Sequence, residues 1–174
     1  MNNKISKEPI NDEEIENEKI YYRRANIDDI KALVEYRIKF LNELYDPPEG
    51  DEINIIKKNL EEYFSKRILS KDFISWLAEY KGKIVGTSGM VVWQLPSRYG
   101  GLESGKLGYI LNLYTIPEKR RKGICTKLLN ELIQEAKSAG LKYLHLHASK
   151  YGINIYKLLG FKEPDHKELV LKIE

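Results

Sequence analysis

The sequence predicts an α/β (α+β) fold with a mixed, largely antiparallel central sheet flanked by helices, and three observations carry that prediction. A β-type run over Tyr109 to Ile116 passes through a basic turn into a strongly amphipathic helix and then a second β-type run over Tyr143 to Ala148. That order is the strand, helix, strand unit that makes a parallel pair. Phe73 to Glu79 and Lys83 to Gln94, both rich in Val, Ile and Trp, flank the turn residues Tyr80-Lys81-Gly82 and read as an antiparallel hairpin. The chain opens with two helical patterns rather than alternating β and α units, and its basic turn holds a single glycine. Those two features disfavour a doubly wound dinucleotide-binding domain.

Taken in order, Ile20 to Arg24 is a short β segment. It leads to Asn26-Ile27-Asp28-Asp29, where Asn26 can cap a helix and the aspartates suit its first turn. Ile30, Leu33, Val34, Leu41 and Leu44 mark one face of that helix, and Pro47-Pro48-Glu49-Gly50 breaks it. Ile53, Ile56, Leu60, Phe64 and Ile68 form the apolar side of a second helix. After the hairpin, Ser97 to Gly108 contains four glycines and reads as a loop. Ile124, Leu128, Leu129, Leu132, Ile133 and Ala136 make one helical stripe that ends at Gly140. Ile153 to Leu159 follows as a short helix and Lys167 to Ile173 as a closing strand.

Composition bounds the chain to one domain. At 174 residues and 42% hydrophobic content it supports one core. Residues 19–174 are expected to form that domain, while residues 1–18, polar and acid-rich, are expected to be a flexible extension. No secretory signal and no membrane-length apolar window is apparent, so the expected location is cytoplasmic. The single Cys125 excludes an internal disulfide, and three dispersed histidines give no metal cluster. With 29 basic against 26 acidic residues the net charge is +3, which does not call for nucleic acid.

The compact basic run Lys119-Arg120-Arg121-Lys122 precedes Gly123 at the start of the amphipathic helix. A helix start leaves its first N–H groups without intrahelical partners and carries partial positive charge. With Gly123 permitting close backbone approach, such a turn binds phosphate.

Arg120-Arg121-Lys122-Gly123-Ile124-Cys125 resembles the Arg/Gln-x-x-Gly-x-Gly/Ala loop of the GCN5-related N-acetyltransferases. Tyr156-Lys157-Leu158-Leu159-Gly160-Phe161 is similar to that family's late Tyr-x-x-x-Gly-Phe segment. The resemblance runs in order from about Ile20 to the C-terminus. It implies acetyl-CoA as co-substrate, with its pyrophosphate on Arg120, Arg121, Lys122, Gly123, Ile124, Cys125 and Thr126, and two parallel strands that splay apart to admit the thioester. It further implies that backbone groups of Leu113, Tyr114 and Thr115 bind the pantetheine, that Asn154 contacts the cofactor, and that Tyr156 is a general acid for the departing thiolate. A phenol near pKa ~10 holds its proton at neutral pH; packing beside Ile153 and Leu159 is the other role open to Tyr156.

Two departures stand in the loop. Arg121 occupies a slot that many relatives fill with glycine, and Cys125 stands where glycine or alanine is usual. Cys125 reads as a small packed residue rather than a nucleophile. No carboxylate matches the base glutamate of some relatives, since Leu111 and Asn112 stand there. His145, His147 and Glu79 are candidates, and the general base is left unassigned. The acceptor surface is expected from the first two helices and the glycine loop, with Tyr36, Arg37, Trp93 and Tyr99 lining it. Arg37 breaks an apolar helical face, which fits either an anionic acceptor or an internal ion pair.

The activity that follows is transfer of an acetyl group to a primary amine by direct attack in a ternary complex, with no metal. The alternatives are another acyl donor or acceptor, or a non-catalytic acetyl-CoA-binding module. The expected partner is a small-molecule amine or, alternatively, a protein or peptide amine, with no nucleic acid and no membrane; a homodimer is left open.

Overall fold

A computed structural model describes residues 19–164 and 169–173. Five strands form one sheet in the order β1-β2-β3-β4-β5, with β1 Ile20–Arg24, β2 Phe73–Tyr80, β3 Lys83–Gln94, β4 Lys106–Thr115 and β5 Leu144–His145. The first four are antiparallel neighbours, and β5 runs parallel to β4. The helices are α1 Ile30–Leu44, α2 Glu52–Leu69, α3 Ile124–Ser138 and α4 Ile153–Leu158. The mixed, largely antiparallel sheet flanked by helices is thus the one the sequence predicts.

Strand alternation divides the core into two faces. Phe73, Leu77 and Val91 pack against Leu33 and Val34 of α1 and Phe64 of α2. The intervening Ile74 and Met90, with Ile110 of β4, pack against Leu129, Leu132 and Ala136 of α3. The α3 stripe is the one read from the sequence, and Leu128, Leu129 and Leu132 are fully buried. Asn26 caps the turn before α1 in a reciprocal arrangement, its side chain accepting from a backbone N–H while Asp29 accepts from the Asn26 N–H at 2.8 Å. Asp29 also receives both terminal nitrogens of Arg23 at 2.7 Å. The hydrogen bonds from Arg23 hold its carboxyl below the usual range.

Three boundaries differ from the sequence reading. The glycine loop ends earlier, because Lys106, Leu107 and Gly108 already pair with Gln94, Trp93 and Val92. Gly108 belongs to the strand because a Cβ there would lie 2.5 Å from Leu144 and 2.7 Å from the Met90 sulfur. The strand expected over 143–148 shrinks to Leu144–His145, since the chain turns away from β4 and loses its ladder partner. Of the closing strand expected over 167–173, residues 167 and 168 lie outside the described residues. Residues 169–173 form no strand; Leu169, Val170, Leu171 and Ile173 are exposed, and none pairs with β5, whose ladder is too short to template one. The extension 1–18 also lies outside the described residues. Among the described residues no helix is long and apolar enough to cross a membrane.

Candidate acyl-transfer site

Two irregularities of β4 create a cleft. Parallel pairing with β5 is confined to Gly108↔Leu144 and Tyr109↔His145, so from Tyr109 onward the two strands diverge as expected. On its other edge β4 carries a bulge: Thr87 faces Tyr114 while Gly89 faces Leu111, leaving one extra residue in β4. Asn112 absorbs it at φ 55°, and the Thr87 hydroxyl donates to its carbonyl at 3.1 Å. The Asn112 carboxamide and the Thr115 hydroxyl are both buried, and neither finds a hydrogen-bond partner among the described residues. Unpaired buried polar groups are costly, and they stand on the stretch of β4 that the diverging β5 uncovers.

At the C-terminal end of β4 the chain passes a short 3₁₀ turn, Pro117–Lys119, and enters the loop before α3. Arg121 at φ 58° and Gly123 at φ 79° both adopt the left-handed conformation. Such residues turn successive N–H groups toward a common concavity. Lys127 donates to the Gly123 carbonyl at 3.0 Å, the first bond into α3. The N–H groups of Arg121 through Thr126 make no hydrogen bond to a described residue. A Cβ at Gly123 would meet nothing within 4 Å, so the space in front of the loop is open. This run of unpaired donors at a helix N-terminus fits a pyrophosphate. The geometry also explains one departure: the slot of Arg121 favours glycine because it is left-handed, and arginine there stores about 1–2 kcal/mol of backbone strain.

The side chain of Arg120 is engaged elsewhere. Its Nε donates to the Thr115 carbonyl at 2.8 Å and its Nη2 contacts Glu43 Oε1 at 2.5 Å. Tyr114 donates to the same carboxylate oxygen at 3.0 Å. Burial, reinforced by Glu43, raises the Tyr114 phenol to about 12. Glu43 was missed in the sequence. The available signal was its spacing, because Tyr36, Phe40 and Glu43 follow one another along the α1 face that covers Tyr114.

Across the cleft, α4 brings Tyr156 beside the start of α3. Its ring packs edge-on against Phe161 with centroids 5.9 Å apart, and its hydroxyl makes no hydrogen bond to a described residue. Burial, with the nearby Cys125 adding to it, raises the phenol to about 12. Cys125 is itself raised to about 11 by burial, so desolvation outweighs the helix dipole and the thiol stays neutral. Asn154 lies on the same short helix.

The candidate acceptor residues separate. Tyr36 is buried and donates its hydroxyl to the Ile84 carbonyl. Tyr99 is 96% exposed at a loop tip. Trp93 stacks on Tyr109 with centroids 4.3 Å apart, and the Tyr109 hydroxyl bonds to His147 Nδ1. Arg37 is partly buried on the inward side of α1. Of the base candidates, Glu79 is tied to Arg23 Nε at 2.9 Å in the β1–β2 region, His147 is held by Tyr109, and His145 is exposed. Among the described residues no group of three or more His, Cys, Asp or Glu could hold a metal.

Comparison with known proteins agrees with this geometry. Residues 34–161 match the model of the acetyltransferase (GNAT) family. A predicted acetyltransferase from Clostridium acetobutylicum, determined with acetyl-CoA, superposes with a TM-score of 0.80 at 33% identity, covering 88% of this chain and 96% of that one. A GCN5-related N-acetyltransferase from Ralstonia eutropha shares the fold, with a TM-score of 0.77 at 23% identity over 88% of this chain and 99% of that one. The uncharacterized N-acetyltransferase YjgM of Escherichia coli is 30% identical over 94 residues, and the match spans about half of each protein, 52% in both cases. With that family model matched over residues 34–161 and the same fold in a solved acetyltransferase, the chain belongs to the acetyltransferase (GNAT) family.

Proposed function

We propose that the protein is an acetyl-CoA-dependent N-acetyltransferase that acts on a primary amine by direct attack in a ternary complex. The observation that carries the reading is the run of unpaired N–H groups from Arg121 to Thr126 at the base of the β4–β5 cleft. Acetyl-CoA supplies an acyl group activated as a thioester. Arg121 to Thr126 hold its pyrophosphate through the backbone, with Lys122 adding positive charge. Leu113, Tyr114 and Thr115 offer the backbone of the uncovered β4 edge to the pantetheine, and preorganised donors there stabilise charge developing on the carbonyl oxygen. Asn154 is the candidate cofactor contact from α4.

As the amine nitrogen bonds to the acyl carbon and the carbon–sulfur bond breaks, the nitrogen loses a proton to solvent water and the sulfur gains one. Burial raises the Tyr156 phenol to about 12, which makes Tyr156 the candidate donor of that proton, to be regained from solvent. No side chain is assigned as base, so the amine enters neutral. The rate therefore rises with pH through the acceptor's own pKa, near ~8 for an α-amine and ~10 for an alkyl amine, without a fall from Tyr156 below that range. The preferred acceptor is a small molecule, with a peptide amine second, and the expected compartment is the cytoplasm.

Thiol release from acetyl-CoA against a panel of amines tests the reading. Amine-dependent release is the expected result. Tight coenzyme A binding with no release for any amine would instead describe a non-catalytic binding module, and absence of coenzyme A binding would overturn the assignment.

A further inference from the structure

Arg37 lies on the apolar stripe of α1, one turn after Val34 and one turn before Leu41. A cation in that position normally has a carboxylate beside it. Arg37 forms no ion pair and no side-chain hydrogen bond with any described residue; the Phe40 ring lies 5.5 Å from the guanidinium carbon. The acids of α1 are otherwise engaged, with Glu35 bound to Lys39 at 2.7 Å and Glu43 to Arg120 at 2.5 Å. Asp72, below α2, is bound to Arg67 at 2.7 Å. Burial lowers the pKa of Arg37, and the titratable groups facing it include the phenols Tyr45, Tyr63 and Tyr109. It nevertheless stays charged, as guanidinium does throughout the working range of proteins.

Val91, in register with Tyr109 on the next strand, packs against Leu33 and Val34 of α1, so Tyr109 and the helix of Arg37 share the α1–α2 side of the sheet. Tyr109 stacks on Trp93 there, and the indole is 42% exposed, so the surface beyond Arg37 is aromatic and open. The same side reaches the acyl site: Tyr36, next to Arg37 in sequence, packs against Tyr114 with centroids 6.1 Å apart. Tyr109 and Tyr114 are five residues apart on β4, a span of ~17 Å along the strand. A guanidinium without a partner, partly stripped of water and walled by aromatic rings, is a receptor for a planar or tetrahedral anion, which it can grip through two parallel N–H groups.

We infer that the acceptor is a primary amine that also carries a carboxylate or phosphate, and that Arg37 binds this anion while the amine points to the β4 cleft. The inference rests on the acetyl-transfer reading above and narrows its substrate class. A polycationic acceptor, such as a polyamine, meets like charge at Arg37 and is disfavoured.

The test uses matched pairs: amino acids against their decarboxylated amines, and aminoalkyl or amino-sugar phosphates against the corresponding alcohols. Thiol release from acetyl-CoA is measured for the wild type, Arg37→Leu and Arg37→Lys. The anionic member of a pair is expected to be preferred at least tenfold in kcat/KM, and whether the carboxylate or the phosphate series shows the preference identifies the anion. Arg37→Leu removes the preference through KM with kcat little changed. It also melts no lower than the wild type, because leucine continues the apolar stripe. Arg37→Lys keeps part of the preference and serves if the leucine variant does not fold.

Calorimetric binding of the same pairs to the coenzyme A-loaded protein separates this inference from the one beneath it. Anion-selective binding lost in Arg37→Leu, without thiol release, upholds the anion site and rejects acetyl transfer. Equal handling of both members of each pair, binding of neither, or a preference that survives Arg37→Leu overturns the inference.

Discussion

Gly123→Glu is expected to abolish coenzyme A binding while leaving the protein folded. Gly123 stands at φ 79° as the residue capping α3, with open space in front of it. A side chain there costs about 1–2 kcal/mol from the left-handed backbone and clashes with no protein atom, so the fold survives. The carboxylate, however, projects into the volume beside the unpaired N–H groups and repels the pyrophosphate. A ligand at 100 times its Kd stabilises the native state by about 2.7 kcal/mol, and a 100-fold loss of affinity cuts this to about 0.4 kcal/mol at the same concentration. The coenzyme A-induced rise in Tm should therefore nearly vanish. Gly123→Ala separates the two effects: it carries the backbone strain without the charge and should retain most of the ligand-induced shift. A Gly123→Glu protein that folds and binds coenzyme A with wild-type affinity would show that the loop does not hold the phosphates.

Tyr156→Phe carries the second large effect. The substitution keeps the ring and its edge-on contact with Phe161, so the hydroxyl alone is removed. Loss of a general acid costs about 10²–10⁴ in rate, whereas loss of a packing contact lowers stability. The expected outcome is a fall of that size in kcat, with unchanged coenzyme A affinity and Tm. Because burial raises the phenol to about 12, the wild-type acid stays protonated across the neutral and mildly alkaline range, and the two proteins should share the same rising pH limb from the amine. Wild-type kcat in the phenylalanine protein, under conditions where chemistry limits the rate, would leave Tyr156 as wall and nothing more.

What the sequence disclosed of this site follows from the range of the interactions. The α3 stripe, the basic loop and the Gly123 break are local patterns, and local patterns determine local structure. The same holds for the Asn26 cap and for the hairpin, whose turn residues Lys81 and Gly82 both take positive φ. Contacts between distant residues were not legible. Nothing near Arg120 announces Glu43, which lies 77 positions away at the end of α1 and binds its guanidinium. Tyr36 reads as an acceptor residue from its place in the first helix, and nothing near it announces the Ile84 carbonyl, 48 positions away, that accepts from its hydroxyl. The Asn112 bulge has no signature in composition, since a left-handed residue inside a strand is imposed by the register of β3 against β4. Alternation over 167–173 suggests a strand, but strand formation needs a ladder, and the described part, residues 169–173, finds none beside β5.

The backbone from Arg121 to Thr126 is expected to grip the pyrophosphate of coenzyme A. A backbone amide NMR titration tests it directly. Coenzyme A should move the amide resonances of Arg121 through Thr126 most strongly, while a pantetheine fragment lacking the phosphates should leave them in place and shift only amides along β4 near Leu113 to Thr115. Saturable coenzyme A binding that leaves the Arg121 to Thr126 amides unmoved would contradict the account.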